Sequence, residues 1–286
     1  VKLALLGATG QVGREIAAIA RADGVDIATL SRGDADLLVP GAAAAAIMRL
    51  RPSIIINAAA WTAVDKAESE PDRAFRVNAS AVAEIAAAAA ETGARLIHLS
   101  TDYVFAGDAD RPLAEDAPVG PLNVYGASKL EGERLALAAD PGCVILRTSW
   151  VYAPHGQNFV RTMLRLSQTR SDAQIVSDQI GGPTPAASIA AAALAVAARR
   201  GGAVGIFHFQ GAPAASWAEF AAAVFAAAGR RVEIRRITSA EFPSAARRPL
   251  RAILDCSRIK REYGIEQPDW RVDLPSTVAR LIAAGA

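Results

Sequence analysis

Tyr125 and Lys129 stand four residues apart in Tyr125-Gly126-Ala127-Ser128-Lys129, at the start of an expected helix. That spacing places both side chains on one helix face. A lysine ammonium beside a phenol favours the phenolate, drawing a reference value of about 10 toward working pH. Such a tyrosine can hand a proton to a carbonyl oxygen while hydride reaches the carbon, or take one in reverse. Upstream, His98-Leu99-Ser100-Thr101-Asp102-Tyr103 closes an expected strand. Thr101 or Ser100 could donate a second hydrogen bond to the same oxygen. Ligands of open parallel sheets bind outside the carboxyl ends of strands. Together these residues read as oxidoreductase chemistry at a carbonyl.

Gly7-Ala8-Thr9-Gly10-Gln11-Val12-Gly13 lies between the first expected strand and the first helix. Glycines there allow a tight turn and let a pyrophosphate sit on the helix N-terminus. The spacing is GxxGxxG rather than GxGxxG, and its place after strand one is what points to a nucleotide. The second strand ends in Thr29-Leu30-Ser31-Arg32. Arg32 there tolerates a 2′-phosphate, whereas a carboxylate would hold a ribose 2′-hydroxyl. A solvated surface charge explains Arg32 equally well, so the cofactor expectation is NADPH or NADH. Asp36, before Leu37, could face the adenine ring.

These residues need a scaffold, and the hydrophobic pattern supplies one. Short apolar strands over Lys2–Leu6, Val25–Leu30, Ser53–Asn57, Arg95–Leu99 and Cys143–Thr148 alternate with helical segments over Val12–Ala22, Ala42–Leu50, Pro71–Thr92 and Tyr125–Ala138. That alternation predicts an α/β fold with a doubly wound parallel sheet, covered on both faces. After about Trp150 prolines punctuate the chain. The expected elements there are helices near Asn158–Gln168, Ala187–Arg199 and Ser216–Ala228, and a last one ending near Ala284. Short strands are expected near Gln174–Val176, Gly205–Phe209 and Val232–Ile237. The expected division is a dinucleotide-binding Rossmann domain over 1–150. A smaller mixed α/β substrate lobe over 151–286 is partly interleaved with the sheet.

Composition excludes several classes. The 286 residues are 52% hydrophobic and 21% charged, and 31 Lys+Arg against 29 Asp+Glu give a net charge of +2. The basic residues are scattered, so a nucleic-acid partner is not expected. Two cysteines cannot staple a scaffold, and Cys143 and Cys256 read as buried thiols. His98, His155 and His208 lack metal-site spacing, so no metal is expected, and His98 reads as a strand residue with a satisfied ring. No apolar run suits a membrane span and no leader pattern opens the chain, so a soluble cytoplasmic protein is expected. Asp65, Lys66, Glu68 and Glu70 read as a solvated helix start. Trp217 and Phe220, three apart on a helix, read as packing for the lobe.

Several segments together resemble the extended short-chain dehydrogenase/reductases, and among them the dTDP-4-dehydrorhamnose reductase family. They are Gly7–Gly13, Asn57–Glu68, Ser100–Phe105, Pro121–Gly126, Arg147–Tyr152, Gly156–Phe159, Asp178-Gln179, Pro183-Thr184, Arg248-Pro249 and Pro268–Trp270. The resemblance runs nearly end to end. It implies that Gly10, Gln11 and Val12 cradle the pyrophosphate and that Ala60, Trp61 and Thr62 border the adenosine side. Tyr125 would be the general acid, Lys129 would hold the nicotinamide ribose and tune Tyr125, and Thr101 would polarise the C4 carbonyl. Asp102 would lie in the sugar pocket and Trp150 would line the substrate entrance. The implied reaction is NAD(P)H-dependent reduction of dTDP-4-dehydro-β-L-rhamnose to dTDP-β-L-rhamnose. The alternatives are another sugar-nucleotide reductase or epimerase of the superfamily, or a non-catalytic regulatory subunit with this fold.

Sugar-nucleotide dehydratases of the superfamily carry a glutamate where this chain has Tyr103, which disfavours dehydration. Family members that dimerise through magnesium use several glutamates. Glu15 matches one, but Pro185–Ser188 holds no carboxylate. A homodimer is therefore expected, if at all, without that bridge. Leu250-Arg251-Ala252 stands where relatives usually show small polar residues.

Overall fold

Side chains of each short strand alternate between two cores, and that alternation sets the layers. The computed structural model describes residues 2–199 and 201–285. In β1 (Lys2–Leu6), Leu3 and Leu5 enter one core while Ala4 and Leu6 enter the other, as a period of two requires. There follow α1 (Gln11–Ala22), β2 (Asp26–Leu30), α2 (Ala42–Leu50), β3 (Ile54–Asn57), α3 (Val64–Ser69) and α4 (Pro71–Phe75). Next come α5 (Ala81–Thr92), β4 (Arg95–Thr101), α6 (Val124–Ala139) and β5 (Val144–Thr148).

The second half contains β6 (Val151–Tyr152), α7 (Phe159–Thr169), β7 (Asp172–Val176), β8 (Ile180–Gly181), β9 (Thr184–Pro185) and α8 (Ala186–Ala198). It continues through β10 (Gly205–His208), β11 (Ala215–Ser216), α9 (Trp217–Ala227), β12 (Glu233–Ile237), α10 (Ser257–Tyr263) and α11 (Trp270–Ala283).

The main sheet has six strands in the order β2-β1-β3-β4-β5-β10, every pair parallel. The doubly wound sheet expected from the sequence is therefore present. One face packs on α1 and α8, the other on α2, α5 and α6. Alanine keeps these layers thin: Ala190, Ala193 and Ala197 of α8 are buried in the core that α1 shares. The chain leaves β1 toward β2 on one side and β3 on the other. Such a switch point is where open α/β sheets bind ligands.

One expectation needs correction. The helix expected over Pro71–Thr92 is interrupted by a π-helical turn at Arg76–Ser80. The wider turn sends the Asn78 amide to both backbone groups of Trp61 (2.8 and 3.1 Å) and to the Ser128 hydroxyl (3.0 Å). The strand expected over Gly205–Phe209 is where the interleaving of the second half with the sheet occurs: β10 is the sixth strand of the main sheet, paired with β5. With α8 packed on α1, the second half thus supplies a strand and a helix to the first. The rest encloses its own core, with Tyr152, Met163, Phe220, Trp270 and Leu274 beside the parallel pair β7–β12. Among the described residues no helix is long and apolar enough to cross a membrane.

Candidate active site

The loop after β1 turns through Gly7 at φ +79° and starts α1 at Gly10 with no side-chain cap. The first helical N–H groups of α1 are therefore free for a ligand. A methyl on Gly13 would overlap the Gly7 carbonyl, so this glycine packs the loop onto its helix rather than lining the cavity. The loop borders a cavity of about 760 Å³ whose walls include Gly7, Gly10, Gln11, Val12, Arg32, Asp36, Leu37, Ala60, Trp61 and Thr62. Thus every residue expected at a dinucleotide, apart from Gly13, Tyr125 and Lys129, borders this one cavity. Lys66 and Arg73 line it too and stand over the Trp61 ring, 5.5 and 5.2 Å from its centroid. The buried Trp61 Nε1 has no hydrogen-bond partner. Uncapped N–H groups, a cationic rim and a free indole donor all suit a dinucleotide phosphate and ribose. At the tip of β2 the Asp34 carboxylate is taken by the Ser31 hydroxyl (2.6 Å) and amide (2.9 Å).

Tyr125 is placed by helix packing. Asn123 caps α6 by accepting from the Gly126 amide (2.7 Å) and donates to the Arg247 carbonyl (2.7 Å). A methyl at Gly126 would overlap the Tyr103 carbonyl, and one at Gly132 the Asn78 carbonyl. With backbone on backbone, α6 sets the Tyr125 ring edge-on to Tyr103, centroids 5.6 Å apart. Thr101 ends β4, where its hydroxyl accepts from the Tyr103 amide and donates to Asp102, both at 3.2 Å. Ser100 points elsewhere, donating to the buried Glu133 carboxylate. Of the two hydroxyls, Thr101 is the one beside Tyr125.

The electrostatics depart from expectation. Burial pushes the Tyr125 phenol up to about 12; the Thr101 hydroxyl opposes this and the Asp102 carboxylate adds to it. The expected lowering by Lys129 is not found. Lys129, 1% exposed, donates from Nζ to the Leu99 carbonyl (2.7 Å) and faces His98 Nε2 at 3.2 Å. Burial draws its amine down to about 8 against the pull of Glu133. Asp102, 2% exposed, is pushed up to about 7 by the same desolvation. Burial thus raises the Tyr125 phenol and the Asp102 carboxyl and lowers the Lys129 amine, whose Nζ is engaged by β4 rather than by Tyr125.

Sequence reasoning missed the ion pair beneath. Glu133 and Arg147, each with a side chain 2% exposed, meet in a two-pronged contact (Nη2–Oε2 2.6 Å, Nε–Oε1 3.0 Å). The signal was present: Glu133 follows Lys129 by four residues, on the same buried face of α6.

A second cavity of about 1010 Å³ opens toward the lobe, bordered by Gln179, Trp217, Ser239, Arg248 and Leu250. Trp150 backs it rather than facing it: Trp217 is the wall, stacked on Trp150. Phe220 packs the lobe core as expected, whereas Trp217 does not confine itself to that role. Asp65 and Glu68 are exposed, as the solvated reading expects, and each is also engaged by the fold. Asp65 pairs with Arg248 (2.6 Å) and Glu68 accepts from the Val124 amide (2.8 Å), so α3 fastens both the cavity rim and the start of α6. Cys143 and Cys256 are buried free thiols. Glu15 faces His155 at 3.5 Å, and among the described residues no cluster of three or more His, Cys, Asp or Glu suits a metal.

A family model described as RmlD substrate binding domain matches residues 1–283. The dTDP-4-dehydrorhamnose reductase of Sinorhizobium fredii is 44% identical over 294 residues, covering 100% of this chain and 99% of that one. The crystal structure of a dTDP-4-dehydrorhamnose reductase from Clostridium acetobutylicum superposes with a TM-score of 0.94 at 35% identity, covering 99% of this chain and 100% of that one. The Bacillus anthracis reductase, solved in complex with NADP, gives 0.91 at 33% identity and covers 99% of each. By sequence along its whole length, and by fold, the chain belongs to the dTDP-4-dehydrorhamnose reductase family.

Proposed function

We propose that this chain reduces the C4 carbonyl of dTDP-4-dehydro-β-L-rhamnose to dTDP-β-L-rhamnose with NADPH or NADH. The observation that carries the reading is the Tyr125 phenol held beside the Thr101 hydroxyl at the end of β4. Reduction requires a proton donor at the carbonyl oxygen, and a phenol pushed up to about 12 is protonated at neutral pH. Tyr125 gives its proton to the C4 oxygen while Thr101 donates a hydrogen bond to it. A bound reduced nicotinamide supplies the hydride. Gly7, Gly10, Gln11 and Val12 hold its pyrophosphate, with Gly13 supporting the loop. Ala60, Trp61 and Thr62 border the adenosine, Asp36 and Leu37 face the adenine, and Arg32 meets a 2′-phosphate. Lys129 holds the nicotinamide ribose. Asp102 and Trp150 shape the sugar side, with Trp217 as its wall.

Residues 1–150 form the cofactor part in this reading and 151–286 the substrate lobe, apart from the strand and helix returned to the sheet. A homodimer of this chain would form without a metal bridge at Glu15, whose carboxylate faces His155. Both nucleotides are cytoplasmic metabolites, and the reading places the chain with them. The test follows NADPH and NADH absorbance with the 4-keto sugar nucleotide, generated in situ from its precursor. Wild type consumes reduced cofactor and Tyr125→Phe slows this by a factor on the order of 10²–10⁴. Equal rates for the two proteins would sink the reading.

A further inference from the structure

Under the active site, Asn57, His98 and Lys129 form a buried row whose hydrogen-bond directions are fixed from one end. Asn57 ends β3, and its Oδ1 accepts from the Ala59 amide at 3.1 Å. Its Nδ2 is therefore the atom that faces His98 Nδ1, also at 3.1 Å. An amide N–H donates, so Nδ1 is the accepting nitrogen and the proton of the neutral imidazole sits on Nε2. That Nε2 lies 3.2 Å from Lys129 Nζ, which already donates to the Leu99 carbonyl at 2.7 Å. An Nε2–H meets the lone pair of an amine favourably and the protons of an ammonium unfavourably. His98 is 0% and Lys129 1% exposed, so no solvent relieves that conflict.

We infer that His98 is a positioning residue for Lys129: held in one tautomer by Asn57, it fixes Nζ in place and favours its neutral form. The inference rests on the reading of Lys129 as the lysine of a carbonyl reductase. Asn57 is followed by Ala58, Ala59 and Ala60, which line the cofactor cavity, so the row joins that wall to the catalytic helix. The charged groups around it are few. Glu133 of α6 pulls Lys129 toward the ammonium, but its carboxylate is shared with Arg147 of β5 and the Ser100 hydroxyl of β4. From β3 comes the uncharged Asn57, and from the turn at Arg76–Ser80 the uncharged Asn78, which reaches α6 at Ser128. Asp102 acts on Tyr125 and Tyr103. Burial and Lys129 together hold the His98 ring neutral.

Two measurements decide it. Imidazole ¹⁵N shifts of the free wild-type chain report the tautomer without mutation or turnover; a protonated Nε2 is expected, and a protonated Nδ1 overturns the inference. Side-chain NMR titration of labelled lysine then follows Lys129 in wild type and His98→Asn. The shorter amide keeps the Asn57 contact but leaves beside Nζ a space that water fills. The Lys129 midpoint should rise by ~1 pH unit, and the basic limb of kcat/KM should rise with it. A purely structural role would lower kcat/KM alike at every pH and leave the midpoint in place, which also overturns the inference. Failure of wild type to consume NADPH with the 4-keto sugar would refute the reductase reading alone, since the tautomer and the titration need no substrate.

Discussion

The indole of Trp150 lies flat on that of Trp217, ring centroids 3.4 Å apart and planes within 3° of parallel. Trp150 has a left-handed backbone, φ +44°, and a methyl on Gly181 beneath it would meet its ring. Strain of this kind costs on the order of 1–3 kcal/mol and persists only when packing on both sides holds it. Here Gly181 and Trp217 are the two sides.

Trp217 also donates from Nε1 to Gln179 Oε1 (3.1 Å), and Gln179 donates in turn to Ser239 (2.9 Å). Trp217→Ala should therefore raise KM for the sugar nucleotide by about tenfold or more, the worth of one large buried apolar contact. kcat should change little, because Tyr125 and Thr101 lie outside this stack. Steady-state kinetics separate the two constants, and a fall in kcat at unchanged KM would contradict the assignment.

Arg32 and Asp34 leave the tip of β2 with a cation facing the cofactor cavity and a carboxylate already engaged by Ser31. Arg32→Ala should raise KM for NADPH by about tenfold, one charge-assisted hydrogen bond's worth, and leave KM for NADH within about twofold. Parallel titrations with the two cofactors check this. Equal effects on both would mean that Arg32 does not meet the 2′-phosphate.

Asp102 makes a prediction about stability. Its carboxyl is pushed from 3.8 to about 7 by burial, so the folded state binds the proton more tightly than the unfolded state. Its contribution is then fully present below about pH 4 and is lost as pH rises toward 7. Asp102→Asn cannot ionise and escapes that loss. The variant should gain Tm over wild type progressively between pH 4 and 7, with a constant margin above. A margin independent of pH would show that Asp102 titrates normally.

Glu133 and Arg147 are expected to fail singly and to be tolerated as a pair. Glu133→Leu or Arg147→Met alone leaves an uncompensated buried charge and should cost about 3–5 kcal/mol. The double substitution Glu133→Leu with Arg147→Met should recover most of that loss in chemical denaturation. If the single and double losses simply add, the two charges do not stabilise one another.

The parallel sheet, the glycine loop and the positions of Thr101, Tyr125 and Lys129 were legible because each rests on local sequence. Apolar runs mark strands, and motif residues sit at strand ends. Less local facts were hidden. Nothing near Gly205 says that β10 crosses back to pair with β5, since strand pairing is a long-range choice. Asp65 is a solvated charge as read, but its pairing with Arg248 was hidden because the two lie 183 residues apart. The ionisation of Tyr125 was misjudged for the same reason. Spacing on α6 put Lys129 on the correct face, but the Leu99 carbonyl that draws its Nζ belongs to β4.

At Gly126 and Gly132, α6 meets its neighbours through peptide groups with no side chain between. A side chain can absorb a small shift by changing rotamer, whereas a carbonyl fixed within a strand end or a helical turn cannot. The height of the proton-donating phenol above the sheet is thus set by direct backbone-to-backbone contact. An added methyl at either glycine would lift the whole helix and the phenol with it.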